Sequence, residues 1–211
     1  DLLCSTDADT AVAPDWLHRI ARHVDQGADA VAGRALTRRT DRAALGPEAK
    51  RRLDLLGRYY TALDHLRAAR FPDPGDFWPR HFYEGGASIA LTRATYARIG
   101  GAPTPPVAED RALFARIREV GGRIRHPLDV RVFTSSRLAG RAPGGMADAF
   151  ARWIAQAPDA PLHETYRMEA ALVPDGAAAA DQLSFLTLPA ALAEAQAAIR
   201  ALASPPQVEP V

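Results

Sequence analysis

The first ten residues constrain the fold more than any other stretch of this sequence. Leu2, Leu3 and Cys4 form a short apolar run that is typical of a buried strand, and the sequence Asp-Ala-Asp follows at residues 7–9. Polar side chains that follow a buried strand of an open α/β sheet lie at the edge where such folds bind ligands. The stretch therefore predicts an α/β fold with two carboxylates at one edge of its sheet.

These two carboxylates are candidate metal ligands. Side chains one residue apart on an extended backbone point to the same side, so Asp7 and Asp9 are able to share a divalent cation. Acids after an apolar run also serve turns and helix caps, and a purely structural role for the pair stays open. His163 is a candidate third ligand, because imidazole is a common metal ligand, and an ordinary surface histidine is the alternative.

Composition argues against several classes of protein. The formal net charge of +1 gives no indication of a nucleic-acid partner. Cys4 is the single cysteine, which excludes an internal disulfide and argues against the disulfide-rich secreted class. No run approaches the ~20 apolar residues of a membrane span. We therefore expect a cytoplasmic protein without a membrane span, and peripheral membrane association stays open.

The order of predicted elements indicates one α/β domain over residues 1–157, with a mixed sheet flanked by helices. A helical extension over 158–211 would follow it, ending in a tail predicted to be disordered. Hydrophobic periodicity and turn residues predict helices at 14–26, 47–70, 93–99, 109–120, 146–156 and 189–203, and strands at 2–6, 28–36, 89–91 and 123–135.

Three short motifs occur in a suggestive order. They are the sequence Thr-Asp-Ala-Asp-Thr at residues 6–10, Gly-Gly-Ala-Ser at 85–88, and Glu109-Asp110 followed by Gly121-Gly122. In order and approximate spacing they resemble a family 2 glycosyltransferase of the GT-A fold, over Leu2 to about Trp153. In that family, nucleotide-binding strands precede the Asp-x-Asp motif. The resemblance therefore implies that an N-terminal nucleotide-binding segment is missing from this sequence.

The resemblance also implies chemistry. Asp7 and Asp9 would hold a Mn²⁺ or Mg²⁺ ion that bridges the diphosphate of a nucleotide sugar, and this cation would stabilise the charge of the leaving group. Asp110, with Glu109 beside it, would be the catalytic base that takes the proton of an acceptor hydroxyl. The acceptor would be a glycan, a lipid or a small molecule.

Further residues acquire roles from the same resemblance. Gly86, Ala87 and Ser88 would contact the substrate, and Arg137 and Arg141 would close over the diphosphate. Many family members have Asn at the position of Ser88. The resemblance implies inversion of configuration at the sugar. Processive synthesis is not expected, because the Gln-x-x-Arg-Trp signature of processive synthases is incomplete at Arg152-Trp153, where Ala149 stands in place of Gln.

Two other classes of function stay open. The sequence around Asp7 and Asp9 also resembles the first motif of haloacid-dehalogenase-type phosphatases, in which Asp7 would be the nucleophile and Asp9 the general acid. Those enzymes need a downstream lysine, and Lys50 is the single lysine of this chain. The other alternative is a non-catalytic module that binds a glycan or a nucleotide sugar.

Overall fold

The structure is a computed structural model that describes residues 1–135, 145–173 and 181–203. The predicted disordered tail lies largely outside these ranges. In them the strands are β1 (Leu2–Ser5), β2 (Ala11–Val12), β3 (Ala30–Ala32), β4 (Arg34–Thr37), β5 (Ile89–Thr92), β6 (Ile124–Arg125) and β7 (Arg131–Thr134). The helices are α1 (Trp16–Asp25), α2 (Arg39–Ala44), α3 (Pro47–Arg70), α4 (Arg93–Arg98), α5 (Glu109–Glu119), α6 (Met146–Ala155), α7 (Met168–Ala171) and α8 (Leu188–Ala203).

The chain divides into two compact units, each made of two separate segments. The first unit contains Asp1–Leu45 and Asp73–Asp148, and the second contains Gly46–Pro72 and Ala149–Val211. The boundary that the sequence indicated, after residue 157, falls inside the second unit. The assignment of a catalytic domain to residues 1–157 stays a prediction.

The first unit contains two sheets. A four-stranded sheet has the order β1-β5-β3-β6, in which β5 runs antiparallel to both β1 and β3, and β3 runs parallel to β6. A three-stranded sheet has the order β2-β7-β4, with one antiparallel and one parallel pair. Both sheets are mixed and both lie among helices, which confirms the predicted α/β class with a mixed sheet.

Side chains of β3 and β5 alternate between the two faces of the four-stranded sheet, as expected for extended strands. On one face Ala30 and Leu91 pack with Phe114 and Ile117 of α5. On the other face Val31 and Ala90 pack with Trp16 and Ile20 of α1, together with Val132 of β7. The faces are therefore covered by different helices, and the loops between these helices and strands carry the candidate site.

Strand β1 differs from its prediction as a buried strand. It lies at the edge of the four-stranded sheet and pairs with β5, and in the part of the chain that the structure describes no strand pairs with its other side. Leu2 and Leu3 are consequently 37% and 40% exposed. The apolar composition indicated a strand correctly, but composition alone does not determine how many neighbours a strand has.

The strand predicted over residues 28–36 is two strands in the structure. Its chain leaves the four-stranded sheet at Gly33, whose N–H donates to the Ser88 carbonyl at 2.9 Å, and then enters the three-stranded sheet. A Cβ at Gly33 would lie 2.0 Å from the Ser88 hydroxyl oxygen. Only glycine leaves room for the Ser88 side chain at this point, so Gly33 marks the change of sheet.

The helix predictions agree with the structure to within a few residues. The helix over 47–70 is confirmed as α3, with Pro47 in its first turn, where the missing N–H costs nothing. Thr92 caps α4 as predicted, and its hydroxyl accepts a hydrogen bond from the Thr95 N–H at 3.0 Å. Helix α1 begins at Trp16, two residues later than predicted.

The second unit is helical. Leu56, Leu63 and Leu66 of α3 are buried in one core cluster with residues of α8 and of the segment before it. Arg52 is buried as well, and its guanidinium donates to the carbonyls of Trp153, Ile154 and Gln156, at the C-terminal end of α6. The last carbonyls of a helix lack partners within the helix, and the Arg52 guanidinium supplies the missing hydrogen-bond donors. Within the residues described, no helix has the length and apolarity needed to cross a bilayer.

Candidate active site

The turn that follows β1 carries the first two acids. The Thr10 N–H donates to the Asp7 carbonyl at 3.0 Å, which closes a four-residue turn over residues 7–10. Arg38 donates to the Asp9 carbonyl at 2.6 Å and holds the turn from the side of β4. Asp7 and Asp9 thus stand in a turn instead of on the extended backbone that the sequence indicated.

A second turn, over residues 85–88, lies beside the first. The Thr6 hydroxyl donates to the Ala87 carbonyl at 2.8 Å, so the end of β1 is fixed to the start of β5. The Ser88 side chain is 1% exposed, and its hydroxyl accepts a hydrogen bond from the Trp16 indole at 2.9 Å. Ala87 is buried too. In the structure this side chain packs in the core and orients Trp16, and the expected contact of Ser88 with a substrate stays a prediction.

The N-terminus of α5 supplies the other two acids. Asp110 accepts a hydrogen bond from the Gly86 N–H at 3.0 Å and another from the Arg111 N–H at 2.7 Å. Glu109 precedes it in the same helical turn. Ala108 has φ 58°, in the left-handed region that is unfavourable for residues other than glycine. The backbone therefore accepts strain at the start of α5, directly before the helical turn that brings Asp110 to Gly86.

Asp7 and Asp110 both lie beside Gly86. A Cβ on Gly86 would lie 3.4 Å from a carboxylate oxygen of Asp7, and the Gly86 N–H already bonds Asp110. Partial burial raises the pKa of Asp7 from its ordinary value, and the negative charges of Asp9, Asp110 and Glu109 raise it further. Like charges disfavour ionisation of one another, so a bound cation would relieve the repulsion.

The donor atoms suit a hard divalent cation. Carboxylate oxygens are the ligands that Mg²⁺ and Mn²⁺ prefer, and Mg²⁺ commonly binds one or two carboxylates together with substrate phosphates. In ranges 1–135, 145–173 and 181–203 no group of three or more His, Cys, Asp or Glu side chains is arranged to hold a metal ion. The expected third ligand, His163, belongs to the second unit, where its ring lies 3.7 Å from the Glu164 carboxylate. The expected three-ligand set is thus not found in those ranges.

Of three other predicted residues, two lie outside the described ranges and one belongs to the second unit. Arg137 and Arg141 fall between residues 136 and 144, outside the part of the chain that the structure describes. Lys50, which the phosphatase alternative requires, lies on α3 in the second unit. A lysine beside Asp7 therefore stays a prediction of the phosphatase alternative.

A buried ionic cluster in the first unit was not predicted. Its centre is Asp76, which is 4% exposed and whose carboxylate accepts four hydrogen bonds. The donors are Arg125 Nη1 at 2.9 Å, Arg80 Nη1 at 2.9 Å, and both the backbone N–H and the ring Nδ1 of His126 at 2.8 Å. Burial alone would raise the pKa of the Asp76 carboxyl, but the hydrogen bonds and charge of His126, with the hydrogen bond of Arg125, lower it below its ordinary value.

His126 connects this cluster to the turn at Gly86. Its Nε2 lies 3.1 Å from the Glu84 carboxylate, while its Nδ1 contacts Asp76. Two ionised carboxylates only accept hydrogen bonds, so both ring nitrogens donate and the imidazole is positively charged. Burial lowers the pKa of His126, and the hydrogen bonds to Asp76 and Glu84 outweigh it and raise the net value. Glu84 also pairs with Arg118 of α5.

Sequence reasoning missed this cluster because its members are far apart in the chain. Asp76 and His126 are separated by 50 positions, and no spacing rule connects them. One local signal was available. Glu84 immediately precedes Gly85 and Gly86, and an acid beside a glycine turn near a second acidic motif indicates a residue that could orient that turn.

A neighbouring histidine makes the first unit sensitive to acid. Burial, followed by the charge of His126, lowers the pKa of His81 to about 3. The unfolded chain protonates His81 below pH ~6.5 whereas the folded chain does not, so the free energy of unfolding falls as pH decreases from ~6.5 toward 3.

The variant His81→Gln keeps a donor for the Ala32 carbonyl and loses this titration. Urea unfolding should show that wild type loses about 1–2 kcal/mol more than the variant between pH 7 and pH 5. Equal losses would contradict this assignment.

Comparisons with known proteins give a match among solved structures alone. No family model matches this chain, and no curated protein matches it. A mannosyltransferase from Pyrobaculum calidifontis in complex with GDP-Man and Mn²⁺ is similar at 23% sequence identity and a TM-score of 0.41. The alignment covers 98% of this chain and 51% of the other, so this chain spans about half the length of that protein. Similarity of this size does not establish a common fold, and the function proposed below rests on this chain's own residues.

Proposed function

We propose that the chain is the metal-binding and acceptor-binding part of a glycosyltransferase with a GT-A-like fold of the family 2 type. The reaction would transfer a sugar from a nucleotide-sugar donor to an acceptor hydroxyl, with inversion and without processivity, in the cytoplasm. The observation that carries the proposal is that Asp7 and Asp110 both lie beside Gly86, while the charges of Asp9 and Glu109 also act on Asp7. Two separate segments of the chain bring these acids together, despite the repulsion that raises the pKa of Asp7.

Asp7 and Asp9 would hold the cation. Two carboxylates with an incomplete protein ligand set match a Mn²⁺ or Mg²⁺ ion whose remaining ligands are phosphate oxygens and water. When bound, such an ion neutralises charge on the diphosphate leaving group. Arg38 and Thr6 fix the two ends of the turn over residues 7–10, and the Asp7 carboxylate lies beside Gly86.

Asp110 would take the proton of the acceptor. As the acceptor oxygen forms its bond to the anomeric carbon, the bond from that carbon to the phosphate oxygen breaks, and the hydroxyl proton passes to the Asp110 carboxylate. Both carboxylate oxygens of Asp110 already accept one backbone N–H, and each retains a second lone pair for the acceptor. These two hydrogen bonds orient the base before an acceptor arrives.

Metal binding tests the proposal directly. In Asp9→Asn one charged ligand is lost, so Mn²⁺ titrated into the chain in the presence of GDP or UDP should bind at least tenfold more weakly, since even indirect changes near a metal commonly cost about 10–100-fold. Calorimetry, or the relaxation of water protons by Mn²⁺, measures the affinity.

The matched control for this titration is Asp25→Asn. Asp25 is an exposed acid in the last turn of α1 in the same unit, so its replacement changes the net charge equally without touching the turn over residues 7–10. This variant should bind Mn²⁺ as wild type does. Equal affinity of wild type and Asp9→Asn would show that the two acids only stabilise a turn.

A further inference from the structure

We propose that Glu84 is a positioning residue for the candidate active site, held by His126 and Arg118 so that the turn at Gly86 presents its N–H to Asp110. The role in catalysis rests on the proposed function, whereas the positioning itself does not. Glu84 lies directly before Gly85 and Gly86 in sequence.

Glu84 is fixed from two sides. His126 Nε2 donates to it from the buried side, and the Arg118 guanidinium donates to both of its carboxylate oxygens from the solvent side. The Glu84 side chain is 13% exposed, so these partners replace most of its contact with water. Burial raises the pKa of Glu84, but its hydrogen bonds with His126 and Arg118 reverse the effect, so the carboxylate stays ionised at neutral pH.

His126 is itself fixed by groups on several elements. Asp76 holds its Nδ1, and the ring of Phe114 on α5 lies beside its own ring with centroids 6.4 Å apart. Within the residues that the structure describes, the charged or titratable groups around His126 and its two carboxylate partners include His81, Arg80, Arg125 and Arg118. The Glu84 carboxylate is therefore fixed, through His126, to the buried cluster around Asp76.

Two anchors then connect the segment 84–86 to one helix. Arg118 of α5 holds Glu84, and Asp110 of the same helix holds the Gly86 N–H. Eight positions separate the two helical residues, which corresponds to about 12 Å at ~1.5 Å per residue. The segment 84–86 therefore lies along α5. Loss of the anchor at Glu84 would leave Gly85 and Gly86, two conformationally free residues, tied to α5 through the Asp110 contact, while Thr6 still holds the far end of the turn at Ala87.

The test measures the Gly86 amide itself. Removal of the charge in Glu84→Gln weakens both hydrogen bonds of residue 84, so hydrogen exchange of the Gly86 N–H, followed by NMR, should become roughly tenfold faster or more. Exchange of the Ala90 N–H, in the centre of the sheet, should not change. Glu119→Gln, an exposed acid on the same helix, is the matched control and should exchange at Gly86 as wild type does.

A second pair of variants covers the case in which Glu84→Gln does not fold. Arg118 is half exposed, so Arg118→Gln leaves the core intact while removing one anchor, and Arg118→Lys retains a positive charge. Faster Gly86 exchange in Arg118→Gln, with partial return toward wild type in Arg118→Lys, is expected. Unchanged Gly86 exchange in Arg118→Gln, and in Glu84→Gln where it folds, overturns the proposal.

A functional readout separates positioning from general stability. If the chain has the proposed function, Arg118→Gln should lower kcat for sugar transfer. The affinity for Mn²⁺ should stay unchanged, because the substitution does not alter the proposed ligands Asp7 and Asp9. Absence of Mn²⁺ binding by wild type would remove the proposed function, while the exchange of the Gly86 amide would still decide whether Glu84 positions the turn.

Discussion

Replacement of Asp110 by asparagine should lower the rate of sugar transfer by roughly two to four orders of magnitude, since this is the typical contribution of a general base. The amide oxygen of the new side chain remains able to accept the Gly86 N–H, so the turn and the fold should persist. Binding of Mn²⁺ and of the nucleotide sugar should change little. A steady-state assay of donor consumption, combined with titration of both ligands, measures the two effects separately.

The neighbouring acid supplies the necessary comparison. Glu109 lies beside Asp110, but within the described residues the Gly86 N–H donates to Asp110 and not to Glu109. Glu109→Gln should therefore reduce transfer less than Asp110→Asn does. Glu119→Gln serves as a control for the charge of α5. Full activity in Asp110→Asn would show that the base is another carboxylate. Full activity with both acids replaced would remove the base mechanism, and release of phosphate from a generic ester would favour the phosphatase class.

The largest effect on stability is expected at Asp76. In Asp76→Ala, Arg125 and His126 remain buried without their shared anion, and removal of one partner of a buried ion pair typically costs about 3–5 kcal/mol. Because the pKa of Asp76 is lowered in the folded chain, its contribution is present above pH ~3.8 and is lost as pH falls through the folded pKa. Urea unfolding at pH 7 measures the loss in the free energy of unfolding.

Two further variants test the origin of this loss. Asp76→Asn keeps an acceptor for the His126 N–H but not the charge, so its stability should lie between wild type and Asp76→Ala. Asp25→Ala, a surface change in the same unit, should stay within ~0.5 kcal/mol of wild type. A loss below ~1 kcal/mol in Asp76→Ala would mean that water reaches the cations and replaces the carboxylate.

Local sequence patterns were sufficient for most of the helices. The apolar spacing of α3 and the hydroxyl of Thr92 are signals that act within a few residues, and the structure agrees with both. The acids at Asp7 and Asp110 were also visible in sequence, because each follows or begins a regular element. Their closeness to Gly86 depends on how two separate segments meet in the folded chain, and no local pattern contains it.

The features that were missed depend on long-range geometry. The burial of Ser88 follows from its contacts with Trp16 and Gly33, which lie 72 and 55 positions away (88 − 16 and 88 − 33). The exposure of β1 follows from the number of its neighbours, and the division at Gly33 follows from the close approach of the Ser88 side chain. Each depends on which segments meet in the folded chain, which hydrophobic periodicity does not encode.

The pairing of α3 with later residues also has a consequence during synthesis. Leu56, Leu63 and Leu66 find their partners, such as Leu183 and Leu188, only much later in the chain. At ~5–20 residues per second, a ribosome needs roughly 6–25 s to make the stretch between Leu66 and Leu183. Throughout that interval the apolar face of α3 is open to water and to other nascent chains, so the yield of folded protein should depend on chaperones that shield this helix until α8 emerges.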